Sequence, residues 1–221
     1  MHKFDLSTRR GRWWTTLDYL WNDHAYLRLA FSNAHWISNE LIRANQPWPF
    51  QLEAWARRGV KTVINLRGGH DASFYALERA ACEKLGLELE PFVVASRDVP
   101  SREQILGAKR LFETVRYPAL MHCKSGADRA GLMAVLYAHF RQGLTIRESL
   151  SHLSARYLHV RAGLTGVLDY FFERYLAEGE SAGLSFVDWV EGPSYDPAAI
   201  KAEFRASWWG TLLAERLLGR E

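Results

Sequence analysis

Three short runs rich in apolar and β-branched residues, VKTVINL (60–66), LELEPFVV (87–94) and PALMHC (118–123), alternate with longer stretches of helical period. Runs of this length suit strands, and the stretches between them are long enough for the crossovers that join parallel strands. PWPFQLEAWARRG (47–59) opens on prolines and closes on Gly59, and ASFYALERAACEKLG (72–86) closes on Gly86. SREQILGAKRLFETVR (101–116) opens with Ser101 and Gln104 at capping-box spacing. The third strand runs directly into a loop, after which AGLMAVLYAHFRQG is helical. The alternation predicts an α/β fold: a mostly parallel central sheet flanked by helices, with that loop lying between a central strand and a helix.

The C-terminal half is helical. TIRESLSHLS (145–154) pairs Thr145 with Glu148 in a second capping box, and TGVLDYFFERYLAEG (165–179) is a further helix. Two aromatic-rich flanks lie outside this core. Residues 1–35 carry Trp13, Trp14, Trp21 and Tyr26, and EGESAG (178–183) reads as a linker to a tail containing FRASWWGTLLAERLLGR (204–220). The expected organisation is an extension (1–35), a domain (36–178), and a linker with a helical tail (179–221).

Several function classes are disfavoured. No stretch reaches the eighteen apolar residues of a membrane span, and the basic N-terminus is followed by Asp18, Asp23, His24 and Arg28 where a signal peptide has its apolar segment. A cytoplasmic protein is expected. Cys82 and Cys123 are too few for a disulfide scaffold, and the eight histidines show no metal-ligand spacing, so neither a metal nor a cofactor is expected. The 28 basic and 25 acidic residues are interspersed, giving a net charge of +3 with no nucleic-acid stripe. The aromatic flanks with their basic neighbours would suit peripheral contact with the inner membrane. Apolar helices more often fold back over a core or form a dimer contact.

The loop itself reads HCKSGADRAG (122–131). Ligands of open α/β sheets bind beyond the carboxyl ends of strands, and a helix N-terminus presents free N–H groups and the positive end of its dipole. There a cysteine pKa falls from about 8.5 toward roughly 3.5–7.5, so Cys123 is expected as a thiolate near neutrality. Arg129, six residues on, has the planar fork to bind two oxygens of a tetrahedral oxyanion. Gly126 lets the backbone approach such a ligand.

His122, Cys123, Gly126 and Arg129, with five residues between cysteine and arginine, resemble the signature loop of the cysteine-dependent protein tyrosine phosphatases, dual-specificity members included. RANQPWPFQLEAWARRGVKTVINLRG (43–69) is similar to the early helix and strand of small bacterial members, so the resemblance spans about residues 36–178. A rhodanese loop has four intervening residues and does not fit.

The resemblance implies a cysteine-dependent phosphatase. Cys123 is its nucleophile, Arg129 its phosphate clamp, and the loop of His122, Lys124, Ser125, Gly126, Ala127 and Asp128 its phosphate cradle. His122 orders the loop. A general acid is implied upstream; SRDVPSREQ (96–104) offers Asp98, with Asp71 the competitor, although Asp71 reads more naturally as a helix N-cap. Lys124 resembles the lipid-directed members and otherwise reads as a solvated lysine. Asp128 orients water or caps the helix. Ala130 departs from the usual serine or threonine, leaving Ser125 as the nearby hydroxyl. Cys82 reads as a core cysteine, with a protective disulfide to Cys123 as the other reading. The implied substrate is a phosphorylated protein; a phospholipid or lipid A phosphate, and a low-turnover phosphate-binding module, are the alternatives.

Overall fold

The computed structural model describes residues 4–218, so the first three residues of the expected extension and the last three of the expected tail lie outside the described residues. In chain order the elements are α1 (Arg9–Trp21), β1 (His35–Trp36), β2 (Leu41–Ala44), α2 (Pro49–Arg57), β3 (Thr62–Asn65), α3 (Ser73–Leu85), β4 (Glu88–Pro91), α4 (Arg102–Thr114) and β5 (Ala119–His122). They continue as α5 (Asp128–Phe140), α6 (Ile146–Ser149), α7 (Val167–Arg174), α8 (Phe186–Glu191) and α9 (Pro197–Leu218). The chain forms two compact units. One comprises residues up to Val94 together with Glu113–Ala134, and the other comprises Ala95–Phe112 together with residues from Val135 onward.

The first unit holds a five-stranded sheet in the order β1-β2-β5-β3-β4, parallel except for the β1–β2 pair. Its three inner strands, β2, β5 and β3, are buried at every position. Strands covered on both faces take mainly apolar residues without alternation, and here Arg43, Thr62, Asn65 and His122 are the buried polar exceptions. The edge strand β4 is exposed at its end and does alternate. Ile42, Val63 and Leu120 from these strands pack with Leu52 of α2 and Ala81 and Cys82 of α3. Tyr19 of α1 and Ala25 pack against Trp48, and the Tyr19 ring meets the indole edge-on at 4.6 Å.

Local signals account for several helix ends. Gly86 ends α3 at φ +68°, a conformation that costs a glycine nothing. Ser101 and Gln104 form the expected reciprocal cap on α4, and Thr145 and Glu148 do so on α6. Asp71 does not cap α3: the N-cap is Ala72, because the turn through Gly68 and Gly69 delays the helix by a residue and leaves Asp71 exposed.

In the second unit Phe171, Phe172, Tyr175, Phe186, Trp189 and Tyr195 form one aromatic cluster. The chain stays helical through the stretch read as a linker, with a π-turn at Tyr175–Gly179 and a 3₁₀ turn at Glu180–Ala182. Gly179 serves packing here, since a Cβ on it would lie 2.6 Å from the Tyr175 ring and 2.9 Å from that of Trp189. Among the described residues no helix is long and apolar enough to cross a membrane.

Candidate active site

Strand β5 occupies the middle of the sheet, and Cys123 follows its last residue directly, five positions before α5 begins at Asp128. The loop between them is held from outside by its carbonyl groups. The Lys124 carbonyl accepts from the backbone N–H of Gln46 at 3.3 Å, and the Ser125 carbonyl accepts from Asn33 Nδ2 at 2.9 Å. One arginine nitrogen, Arg43 Nη2, donates to the carbonyls of both Gly126 and Ala127, at 2.9 and 2.8 Å. A trans peptide carries its N–H opposite its C=O. Four successive carbonyls turned outward therefore turn the N–H groups of residues 125–128 toward the inside of the loop. The Gly126 N–H accordingly lies 3.2 Å from Cys123 Sγ, which is buried.

Gly126 sits at φ +77°, and a Cβ on it would come within 2.8 Å of the backbone of Ala44 and Asn45. Both the left-handed conformation and the close contact require glycine. Arg129 is half-buried and has no hydrogen bond or ion pair among the described residues, leaving its guanidinium free for an anion. Ser125 is exposed and its hydroxyl accepts from the Ala127 N–H at 3.4 Å, whereas Ala130 is fully buried.

A buried polar network supports the residue before the cysteine. His122 Nε2 lies 2.7 Å from Glu78 Oε1, and both side chains are shut off from solvent. The same carboxylate accepts from Gln46 Nε2 at 2.7 Å and from Asn65 Nδ2 at 2.5 Å. Gln46 in turn accepts from Arg67 Nη1 at 3.0 Å, and Arg67 forks onto Asp23, Nη2 to Oδ1 at 2.5 Å and Nη1 to Oδ2 at 3.1 Å. Arg28 pairs with the second Asp23 oxygen, and the Lys124 ammonium stands 3.4 Å from the first. Burial alone would push the Asp23 carboxyl up, but the hydrogen bond and charge of Arg67, with Arg28 and Lys124 behind it, hold it below the ordinary aspartate value. Phe74 covers Arg67, the guanidinium carbon 3.6 Å from the ring centre.

The loop residues singled out in the sequence, 122–129, thus come together in the first unit. Asp71 lies in that unit too, on the exposed turn after β3. Asp98 belongs to the second unit, where its Oδ1 accepts from the Val99 N–H at 3.0 Å and its Oδ2 from Lys201 Nζ at 2.6 Å.

A family profile described as PTP-NADK, the DSP-PTPase phosphatase fused to NAD+ kinase, matches residues 36–164. The chain belongs to this family of cysteine-based phosphatases. Solved structures agree with the assignment. Tk-PTP in its active form is 28% identical, the match covering 64% of this chain and 97% of that one with a TM-score of 0.51. TpbA of P. aeruginosa is 20% identical, with 73% and 94% covered and a TM-score of 0.55. A variant of TpbA in complex with phosphotyrosine is also 20% identical, with 68% and 98% covered and a TM-score of 0.51. Among curated proteins none matches the chain. The protein is a phosphatase of the tyrosine and dual-specificity type.

Sequence reasoning did not single out the residues that hold the phosphatase loop: Asn33, Arg43, Glu78, Asn65 and Asp23. A signal for three of them existed. Arg43 interrupts an apolar strand, Asn65 ends one, and Glu78 lies among the apolar positions of α3, and a buried polar side chain requires a partner.

Proposed function

We propose that the phosphatase transfers the phosphoryl group of its substrate to Cys123 and then to water. In the first step the Cys123 thiolate attacks phosphorus in line, the P–O bond to the leaving group breaks, and Asp98 gives that oxygen a proton. In the second step water attacks phosphorus, the S–P bond breaks, and Asp98 takes the proton, releasing inorganic phosphate and the free thiolate. Arg129 and the N–H groups of the loop bind the equatorial oxygens throughout. The observation that carries this reading is the outward tethering of the four carbonyls of residues 124–127, which leaves inward N–H donors around Sγ.

Phosphotyrosine in proteins is the substrate we favour, since TpbA, which shares the fold, has been crystallised with phosphotyrosine. The loop and both candidate acids lie within residues 36–178, with Asp23 and Asn33 of the extension supplying part of the wall behind the loop. The outward Trp13, Trp14 and Trp21 of α1 supply a surface for peripheral contact.

A generic aryl phosphate assayed between about pH 5 and pH 8 tests the mechanism. Vanadate-sensitive turnover should vanish in Cys123→Ser, and Asp98→Asn should lose activity on poor leaving groups. Tight phosphate binding without turnover in the native protein would instead show a binding module. Faster hydrolysis of an anionic phospholipid in detergent than of a phosphotyrosine peptide would move the substrate to lipid.

A further inference from the structure

The segment from Pro100 to Arg102 and the side chain of Asp98 are gripped by a part of the chain far downstream, beyond the end of the family match at residue 164. Arg102 donates from Nε to the Val190 carbonyl at 2.8 Å and from Nη2 to that of Gly192 at 3.0 Å. The Tyr195 hydroxyl donates to the Pro100 carbonyl at 2.5 Å, and Lys201 Nζ donates to Asp98 Oδ2 at 2.6 Å. All of these groups lie in the second unit.

The residues doing the gripping are themselves fixed. Tyr195 is buried, its ring edge-on to Trp189 at 5.0 Å, and burial pushes its phenol well up, so it stays a neutral donor. Lys201 lies in the second turn of α9, whose start is capped by Asp196 through the N–H groups of Ala198 and Ala199. Ile200 and Phe204 on either side of it are buried, and Glu203 is held by Arg174 at 2.5 Å. The ammonium therefore reaches Asp98 from a helix that cannot turn freely. With Val99 N–H on one oxygen and Lys201 on the other, the Asp98 carboxylate is restrained at both ends.

We infer that Lys201, together with Tyr195 on the Pro100 carbonyl, is a positioning residue for Asp98, so that the C-terminal segment 190–201 belongs to the catalytic apparatus of this phosphatase. The inference rests on the assignment of Asp98 as the general acid. A group that must meet a leaving oxygen at hydrogen-bond distance is effective in proportion to how narrowly it is held. The pair is half-exposed, Asp98 at 46% and Lys201 at 26%, which sets its effect at a modest fold-change.

The test compares phenyl phosphate, whose leaving group needs an acid, with 2,4-dinitrophenyl phosphate, whose leaving group does not. In Lys201→Met the ratio of kcat on the two esters should fall about three- to fivefold, with partial recovery in Lys201→Arg and a shift in the same direction for Tyr195→Phe. In Asp98→Asn the ratio should fall about a hundredfold or more, and the Asp98→Asn/Lys201→Met double variant should be no lower than Asp98→Asn alone. Equal losses on both esters in Lys201→Met would reveal general structural damage and overturn the inference. An unchanged ratio in Lys201→Met beside a reduced one in Asp98→Asn would overturn it while leaving Asp98 as the acid. An unchanged ratio in Asp98→Asn would remove the acid assignment and the role of Lys201 with it.

Discussion

Replacing Arg43 by methionine tests whether the loop is held from behind. Arg43 is completely buried, and its Nη2 donates to the carbonyls of Gly126 and Ala127 at 2.9 and 2.8 Å. Hydrogen bonds from a charged donor contribute about 1.5–3 kcal/mol each, so roughly 3–6 kcal/mol of restraint on the two peptides is lost. Removing a guanidinium from full burial offsets part of that loss in overall stability but none of it in loop orientation. A peptide released to turn its N–H away from the phosphoryl group deletes one donor, and deletion of a single such donor costs about 10²–10³ in kcat. The expected outcome is a kcat at least about a hundredfold lower on an aryl phosphate, with weakened inhibition by inorganic phosphate. Melting should shift by only a few degrees, at about 2–4 °C per kcal/mol for a chain of this size. Arg43→Lys, which keeps the charge on a shorter, differently shaped head, should fall between the two. A folded Arg43→Met enzyme whose kcat and phosphate inhibition stay within about threefold of the native values would refute the view that outward carbonyl tethering builds the site.

Gly126→Ala should be more severe than an ordinary glycine substitution, because the φ of +77° and the 2.8 Å approach to the Ala44 and Asn45 backbone act together. Loss of phosphate binding in isothermal titration, with helix content kept in circular dichroism, is the expected result. Asp23 adds a pH dependence to stability. Its carboxyl is held below the ordinary 3.8, so the unfolded chain binds that proton more readily, and the stabilisation is complete above that value and lost as pH falls through the folded pKa. In urea unfolding the gap between the native protein and Asp23→Asn should stay level down to about pH 5 and close below it; a gap that widens on acidification contradicts the assignment. Burial raises the Cys82 thiol to about 12, so a Cys123→Ser variant should resist iodoacetamide at about pH 8 until it is unfolded.

The parts of the structure that were legible in the sequence are those written locally. The strands β3 and β5 lie within the apolar runs 60–66 and 118–123, covered on both faces, and the capping pairs on α4 and α6 each span three residues, whereas the short β2, interrupted by Arg43, gave no strand signal. The loop at 122–129 is one short segment, so its glycine, cysteine and arginine declare themselves together. What holds it comes from afar. Arg43 reaches Gly126 across 83 residues and Asn33 reaches Ser125 across 92. An arginine in the run LIRA, an asparagine at the end of TVIN and a glutamate on the packed face of α3 all violate their local patterns. Each violation announces that a partner exists, since an unpaired buried charge is prohibitive, but periodicity carries no information about which partner it is. Asp71 was misread for a related reason. Its suitability as a cap is real, yet the two glycines before it set where the turn ends, and that geometry put Ala72 at the helix start.

The same long-range bonds bear on where the working enzyme begins. The family match starts at residue 36, yet Asn33 binds the Ser125 carbonyl, and the carbonyls of Phe31 and Ser32 accept from Asn45 Nδ2 and N, at 2.7 and 3.2 Å, directly beside Gly126. Asp23 holds Arg67 and stands next to Lys124, while Trp48 Nε1 donates to the Ala25 carbonyl at 3.0 Å. Asp23 and Asn33 are buried, and Tyr19 and Ala25 bury with them. Cutting the chain at residue 36 would strip a hydrogen bond from the loop, leave Arg67 a buried cation without its carboxylate, and expose the Trp48 indole. An uncompensated buried charge is among the costliest single defects a core can carry. By that physical criterion residues 19–35 form part of the body that shapes the phosphate loop, even though the aromatic-rich flank they belong to looks in the sequence like an appendage.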